Sequence, residues 1–294
     1  MSPGLFVTGG TGFVGRRFLP RLGSDAFHQV FCLTRSPERI ADHDHRVTVV
    51  PGDLTSVVSY SEALASSGTV VHLAASVGSA SPEAHLRTNL EGTRRLLEEC
   101  RRLGVERFVY VSSVAAKFKN ISDYPYAQSK RAAEAAVRES GLTYCIVRPT
   151  LIVGLGGAAW NRLQALARRP VILLPGSGAA LSQPVYVEDF VGCLVSVLQD
   201  GSFWDEAFDI GGPERITVET LVQAIHRHHS GRNGRVVHLP VGPILPLTDR
   251  VGKKLGRLRF FLEDGVAEPN PLLERHRATM RGMEDMIALS IDKR

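Results

Sequence analysis

The chain has 294 residues, 44% of them hydrophobic and 22% charged, with 35 basic against 30 acidic side chains. That length and apolar content exclude a disordered chain, and the short, broken apolar runs (Leu5-Phe6-Val7, Val171-Ile172-Leu173-Leu174) exclude a membrane-spanning helix. The net charge of +5 is small and its basic residues are scattered, which counts against nucleic acid as a partner.

Short β-rich runs fall at 5–8, 29–34, 47–50, 69–73, 107–112 and 143–147, and helical apolar spacing at 13–22, 57–64, 83–103 and 127–140. Strands alternating with helical crossovers predict a parallel sheet with helices on both faces, a doubly wound α/β domain over residues 1–150. After Pro149 the rhythm changes. A loop at Gly154-Leu155-Gly156-Gly157 precedes a helix at 158–169, a strand at 184–187 and a striped helix at 188–198. A strand at 207–210, a Gly211-Gly212-Pro213 turn and a helix at 218–228 capped by Thr217 follow. Residues 151–294 therefore read as a smaller mixed α/β cap completed by elements returning to the sheet, without a second run of parallel strands. The segment from Gly242 onward carries the least pattern.

Cys32, Cys100, Cys145 and Cys193 lie far apart with no Cys-x-x-Cys pair, so buried reduced thiols are expected rather than a zinc site or disulfides. Met1-Ser2-Pro3-Gly4 lacks the basic and apolar regions of a secretory leader, and a cytoplasmic location is the expectation.

Thr8-Gly9-Gly10-Thr11-Gly12-Phe13-Val14-Gly15 follows the first strand and opens the first helix. Glycines at Gly9, Gly12 and Gly15 let the backbone turn tightly and approach a pyrophosphate, and the helix start offers free N–H groups. Phe13 and Val14 belong to the same cofactor-binding loop. An NAD-specific site places an acidic residue at the end of the second strand to accept from the ribose 2′-hydroxyl. Thr34-Arg35-Ser36 stands there instead, and Arg35 suits a 2′-phosphate, so NADP is preferred over NAD. Gly52-Asp53-Leu54, after the third strand, offers Asp53 either to the adenine edge or as a helix cap, with Leu54 counted in the cofactor site, and Ala74 and Ala75 are small enough for a cofactor to lie close.

Tyr126 and Lys130 are four apart and share one helix face, and Ser112-Ser113 ends the preceding strand. A free tyrosine has a pKa of ~10; a neighbouring ammonium favours its phenolate. Tyr126 is thus the candidate acid/base, Lys130 its electrostatic partner and ribose ligand, and Ser113 the anchor for the substrate oxygen. Each residue alone has an ordinary reading as surface tyrosine, solvated lysine or helix cap; their order after the dinucleotide loop gives them weight.

With these motifs assembled, the sequence resembles the short-chain dehydrogenase/reductase superfamily, in its extended and atypical, epimerase/dehydratase-like branches. Further matching elements are Gly52-Asp53-Leu54, His72-Leu73-Ala74-Ala75, Asn89-Leu90-Glu91-Gly92-Thr93, Tyr110-Val111-Ser112-Ser113, Arg148-Pro149, Val185-Tyr186-Val187-Glu188-Asp189 and Phe208-Asp209-Ile210-Gly211-Gly212. The resemblance implies a Rossmann-type fold, catalytic Ser113, Tyr126 and Lys130, a supporting Asn89 within the cofactor site, and Pro149 against the nicotinamide. It also implies a small-molecule substrate and is compatible with a homodimer. Only thirteen positions separate Ser113 from Tyr126, and Val114-Ala115 replaces the Asp-Glu pair of dehydratases, which argues against a sugar dehydratase and counts against a sugar epimerase. Two functions are expected in that order: an NAD(P)-dependent oxidoreductase or epimerase at a secondary alcohol or ketone, or a non-catalytic dinucleotide-binding accessory or sensor protein.

Asp42-His43-Asp44-His45 and His226-Arg227-His228-His229 match no zinc spacing, and metal is not expected. Gly252-Lys253-Lys254-Leu255-Gly256-Arg257-Leu258-Arg259, near Ile244-Leu245-Pro246-Leu247, reads as a solvated basic face.

Overall fold

The computed structural model describes residues 4–23, 27–40, 47–78, 80–240 and 258–291. The Asp42–His45 stretch and the segment holding Ile244–Leu247 and Lys253–Arg257 lie outside the described residues. Seven parallel strands form the central sheet: β1 (Gly4–Thr8), β2 (Val30–Thr34), β3 (Val47–Pro51), β4 (Ser67–His72), β5 (Arg107–Val111), β6 (Thr143–Pro149) and, after four short strands, β11 (Glu206–Ile210). Their order is β11-β6-β5-β4-β1-β2-β3. The chain winds outward from β1 to β3, then crosses back to β4. The crevice between the carboxyl ends of β1 and β4 is the switch point where such sheets bind ligands.

Both faces of the sheet are covered. Side chains alternate along β1, so Leu5 and Val7 join one core with Phe18, Val191 and Leu194, while Phe6 joins the other with Leu96, Phe108 and Val137. The first core packs α1 (Gly15–Phe18) and α7 (Val187–Gln199); the second packs α2 (Ser61–Ala65), α4 (Gly92–Leu103) and α5 (Pro125–Arg138).

Two helices differ from the sequence reading. The expected helix at 13–22 is α1 followed by a 3₁₀ turn at Leu19–Arg21, because Pro20 has no N–H to extend the ladder. The expected helix at 83–103 is interrupted. It starts as α3 (Pro82–His85), capped by Ser81 Oγ, which accepts from Ala84 N–H at 3.2 Å. It then widens into a π turn at Leu86–Glu91 before α4, and such turns concentrate at functional sites.

The part after Pro149 is threaded into the sheet. β11 pairs with β6, and Val185, Phe190, Leu272 and Met280 enter the first core. What remains packs around a third core of Trp160, Ile172, Leu174, Val222, Ile225 and Ile287. It comprises α6 (Ala158–Ala167), α8 (Val218–Ser230) and the helix Met283–Ser290, with the pairs β7 (Ile152–Val153)–β10 (Val185–Tyr186) and β9 (Leu181–Ser182)–β12 (Ile216–Thr217). Beside these, β8 (Val171–Pro175) and β13 (Arg235–Leu239) pair in parallel as a separate two-stranded ladder, Ile172 opposite Val236. The long stretch between them, residues 176–234, hid the pairing from local pattern, since parallel partners need a long crossover.

Candidate active site

The glycine loop closes the gap between β1 and α1 so tightly that side chains are excluded. Gly9 has φ +75°, and a Cβ there would lie 2.6 Å from the Ala74 nitrogen; one on Gly15 would lie 2.3 Å from the Gly9 carbonyl oxygen. At Gly12 only the Gly9 oxygen is near, at 3.0 Å, and the residue borders the cleft. This bare cradle fits a dinucleotide pyrophosphate. Phe13 ties the loop to the cap: its ring meets Gly154 and Gly157, and the Arg17 guanidinium lies 4.7 Å above its centroid.

Beside the ends of β2 and β3, Thr34, Arg35 and Ser36 line the cleft together with Asp53 and Leu54. Arg35 Nη1 stands 3.7 Å from Asp53 Oδ2, and its side chain is 79% exposed. Asp53 also caps its own turn, accepting from Thr55 N–H at 2.9 Å and Thr55 Oγ1 at 2.7 Å. Burial pushes the Asp53 carboxyl up, but the Thr55 bonds and the charges of Arg35 and Arg87 outweigh it and hold it below the usual range.

Beneath the crevice, Thr93 Oγ1 donates to Asn89 O at 2.8 Å, so its oxygen accepts from His72 Nε2 at 2.9 Å. His72 Nδ1 then accepts the Thr8 hydroxyl at 2.6 Å, and Thr8 Oγ1 accepts Ala74 N–H at 3.2 Å. Burial and the Lys130 charge keep His72 neutral, down to about 3. This chain fixes Ala74 and Ala75 along the cleft. Asn89 is placed differently from expectation. It is 1% exposed and not among the described lining residues. Its amide donates to Ser76 O and Ser129 Oγ, both at 3.0 Å, and accepts Ser76 N–H at 2.7 Å. Asn89 therefore braces the π turn against α5 rather than facing a cofactor.

Ser113, Tyr126 and Lys130 all line the same cleft, as does Pro149 at the end of β6. Ser113 follows β5 and caps a short 3₁₀ turn, its Oγ accepting Ala115 N–H at 3.2 Å. Tyr126 sits in the first turn of α5, begun by Pro125, and Lys130 one turn later. Lys130 Nζ donates to Val111 O at 2.7 Å and lies 4.7 Å from the Tyr110 ring centroid. Burial pushes this ammonium down to about 7, against the upward pull of Glu134. Burial, reinforced by Tyr124, holds the Tyr126 phenol well above its ordinary value, against a downward pull from the Ser113 hydroxyl. The site thus keeps a protonated phenol beside a lysine that exchanges its proton near neutrality.

The cleft encloses about 1080 Å³ and extends from Arg35 to the cap. Sequence reasoning did not single out Arg16, Arg39, Arg87 and Arg162, nor the apolar Phe118, Leu163, Leu166, Phe260 and Phe261, which also line it. Arg16 had a signal, standing directly after the glycine loop; the others come from distant elements with no local cue. Among the described residues no cluster of three metal-ligating side chains occurs and no helix is long and apolar enough to cross a membrane. His226 is a core residue of the cap, its Nδ1 2.7 Å from Ala167 O. All four cysteines are buried and free.

Comparison with known proteins agrees with this geometry. Ceramide reductase of Caulobacter vibrioides is 32% identical over 214 residues, covering 68% of this chain and 67% of that protein. Human 3 beta-hydroxysteroid dehydrogenase type 7 is 31% identical over 188 residues, and the match spans about half of each chain, 51% and 50%. The crystal structure of UDP-glucose 4-epimerase from Thermus thermophilus, a complex with NAD, superimposes with a TM-score of 0.73 over 97% of both chains at 21% identity, a likeness of fold. Residues 5–211, from the first strand to the turn after β11, match the model of the NAD dependent epimerase/dehydratase family. With that match running through the glycine loop and the Ser113–Tyr126–Lys130 group, the chain belongs to the NAD-dependent epimerase/dehydratase family, of the extended short-chain dehydrogenase/reductase type.

Proposed function

We propose that the protein is an NADP(H)-dependent oxidoreductase interconverting a ketone and a secondary alcohol, in which residues 151–294 supply the substrate cap. The observation that carries the reading is the convergence of Ser113, Tyr126 and Lys130 on one cleft with the bare glycine cradle. Relatives named as a reductase and as dehydrogenases support redox chemistry, so the accessory-protein alternative is not favoured.

Gly9, Gly12, Gly15 and the start of α1 would hold the pyrophosphate, and Arg35 the 2′-phosphate. Lys130 would bind the nicotinamide ribose. When bound, the nicotinamide supplies the hydride for reduction or accepts it in oxidation. Ser113 Oγ–H donates to the substrate carbonyl oxygen and holds it beside Tyr126. The Tyr126 hydroxyl gives its proton to that oxygen as the alcohol forms. A phenol kept protonated by burial is in the right state for this donation, and the Lys130 ammonium stabilises the phenolate left behind. In oxidation the same groups act in reverse.

The test is consumption of NADPH and NADH with a panel of ketones, in wild type and Tyr126→Phe. Turnover should fall ~10²–10⁴-fold in the variant with dinucleotide affinity retained. Equal turnover in both proteins would reject Tyr126 as the acid.

A further inference from the structure

Beyond Ile152, the described residues of the cleft are glycine, alanine, leucine and phenylalanine, apart from Arg162 and Ser182. Among the described residues of this stretch, only the Arg162 guanidinium and the Ser182 hydroxyl can hydrogen-bond a ligand through a side chain, too few to read the several hydroxyls of a sugar together with a base. A buried polar group without a partner costs about 1–3 kcal/mol, so a hydroxyl-rich ligand is disfavoured against such a surface. An apolar ligand gains instead with every group removed from water.

The wall is also fastened to the catalytic loop. Arg259 grips Asp123 in a forked pair, Nε to Oδ1 at 3.0 Å and Nη2 to Oδ2 at 3.2 Å, with both side chains largely buried. Asp123 lies three residues before Tyr126, and Phe260 and Phe261 directly follow Arg259. The pair therefore ties the segment carrying two cleft-lining aromatic rings to the loop that leads into Tyr126. Leu163 and Leu166 approach from α6, and Leu151 from the end of β6. Arg162, also on α6, has its Nη1 3.0 Å from where a Cβ of Gly78 would stand.

We propose that the substrate is a carbonyl compound with an extended apolar body, an acyl chain or a fused-ring system, held by Leu151, Leu163, Leu166, Phe260 and Phe261 rather than by hydrogen bonds. This rests on the oxidoreductase reading above for its chemistry, but not for its binding surface.

The experiment uses the full chain with NADPH and a series from 2-butanone to 2-decanone. The 3-ketosteroid 5α-dihydrotestosterone forms a second arm and UDP-glucose a third, and calorimetric titration of the same compounds runs in parallel. Since a buried methylene is worth about 0.8 kcal/mol, kcat/KM should rise about fourfold per added methylene until the wall is filled. Phe261→Ala and Leu166→Ala, both at partly exposed positions, should raise KM for 2-decanone about tenfold or more, and by a much smaller factor for 2-butanone. The ratio of steroid to 2-decanone activity separates a fused-ring from an acyl body. A flat kcat/KM across the ketones, or UDP-glucose bound more tightly than 2-decanone, overturns the proposal. Titrations that tighten with chain length without any turnover would count against the oxidoreductase reading and leave this one standing. No binding of any apolar compound would overturn it.

Discussion

Arg148 holds Glu134 in a two-point clamp, Nε to Oε1 at 2.8 Å and Nη2 to Oε2 at 2.6 Å. Glu134 lies one turn beyond Lys130 on α5, and Arg148 on β6 precedes Pro149 of the cleft. Ser112 Oγ adds a bond to Glu134 Oε1 at 2.6 Å, so the helix bearing Tyr126 and Lys130 is locked to two strands at once. Arg148 Nη1 reaches on to Asp209 of β11 at 3.4 Å, and Asp209 also accepts from Lys117 Nζ at 2.8 Å. The geometry of the site thus depends on charges buried behind it.

Glu134→Ala should destabilise the fold by about 3–5 kcal/mol, because it leaves the Arg148 guanidinium buried without its main partner. Denaturant unfolding measures this; a loss under 1 kcal/mol would mean that Asp209 alone satisfies Arg148.

Arg35→Ala should weaken NADPH about tenfold and NADH hardly at all. A charge-assisted bond is worth about 1.5–3 kcal/mol, and the exposure of Arg35 puts it at the lower end. Calorimetry in which wild type binds NADH as tightly as NADPH would sink the cofactor assignment.

Tyr126 and Lys130 should behave as one catalytic unit, so Lys130→Met added to Tyr126→Phe should cost little further turnover. Lys130 is held down to about 7, charged below that pH and neutral above it. The kcat/KM for ketone reduction should therefore decline as pH rises through about 7 in wild type, and that limb should vanish in Lys130→Met. Identical profiles for the two proteins would remove Lys130 from the mechanism.

His72 makes a stability prediction with a defined sign. Burial and Lys130 lower its folded pKa to about 3, against about 6.5 unfolded. Between these values the unfolded chain binds the extra proton, so stability falls as pH falls below about 6.5, by up to ~1.4 kcal/mol per pH unit. Comparing wild type with His72→Gln between about pH 4.5 and 6.5 isolates this contribution, because the carboxylate background is common to both proteins and cancels in the difference. Parallel stability curves would contradict it.

The alternating strand–helix rhythm, the glycine loop and the Tyr126–Lys130 spacing are local features, and a sequence displays them because their physics acts within a few residues. Gly9 and Gly15 could be read before any fold was known, since only a bare backbone lets a strand turn directly into a helix against β4. The role of Asn89 was legible only as a polar residue in a matching motif; that its amide is spent on Ser76 and Ser129 follows from packing α5 against the π turn.

By itself, the sequence determined the doubly wound sheet, the bare glycine turn after β1 and the order in which Ser113, Tyr126 and Lys130 follow it. Only the tertiary structure decided what surrounds them. Pairing of β8 with β13, the Glu134–Arg148 clamp and the Arg259–Asp123 fork join residues fourteen to 136 positions apart. Such contacts carry no periodicity, because their energy comes from excluding water between segments that meet only when the chain is folded. The character of the cleft beyond Tyr126, and hence what kind of molecule it can hold, is set by those contacts.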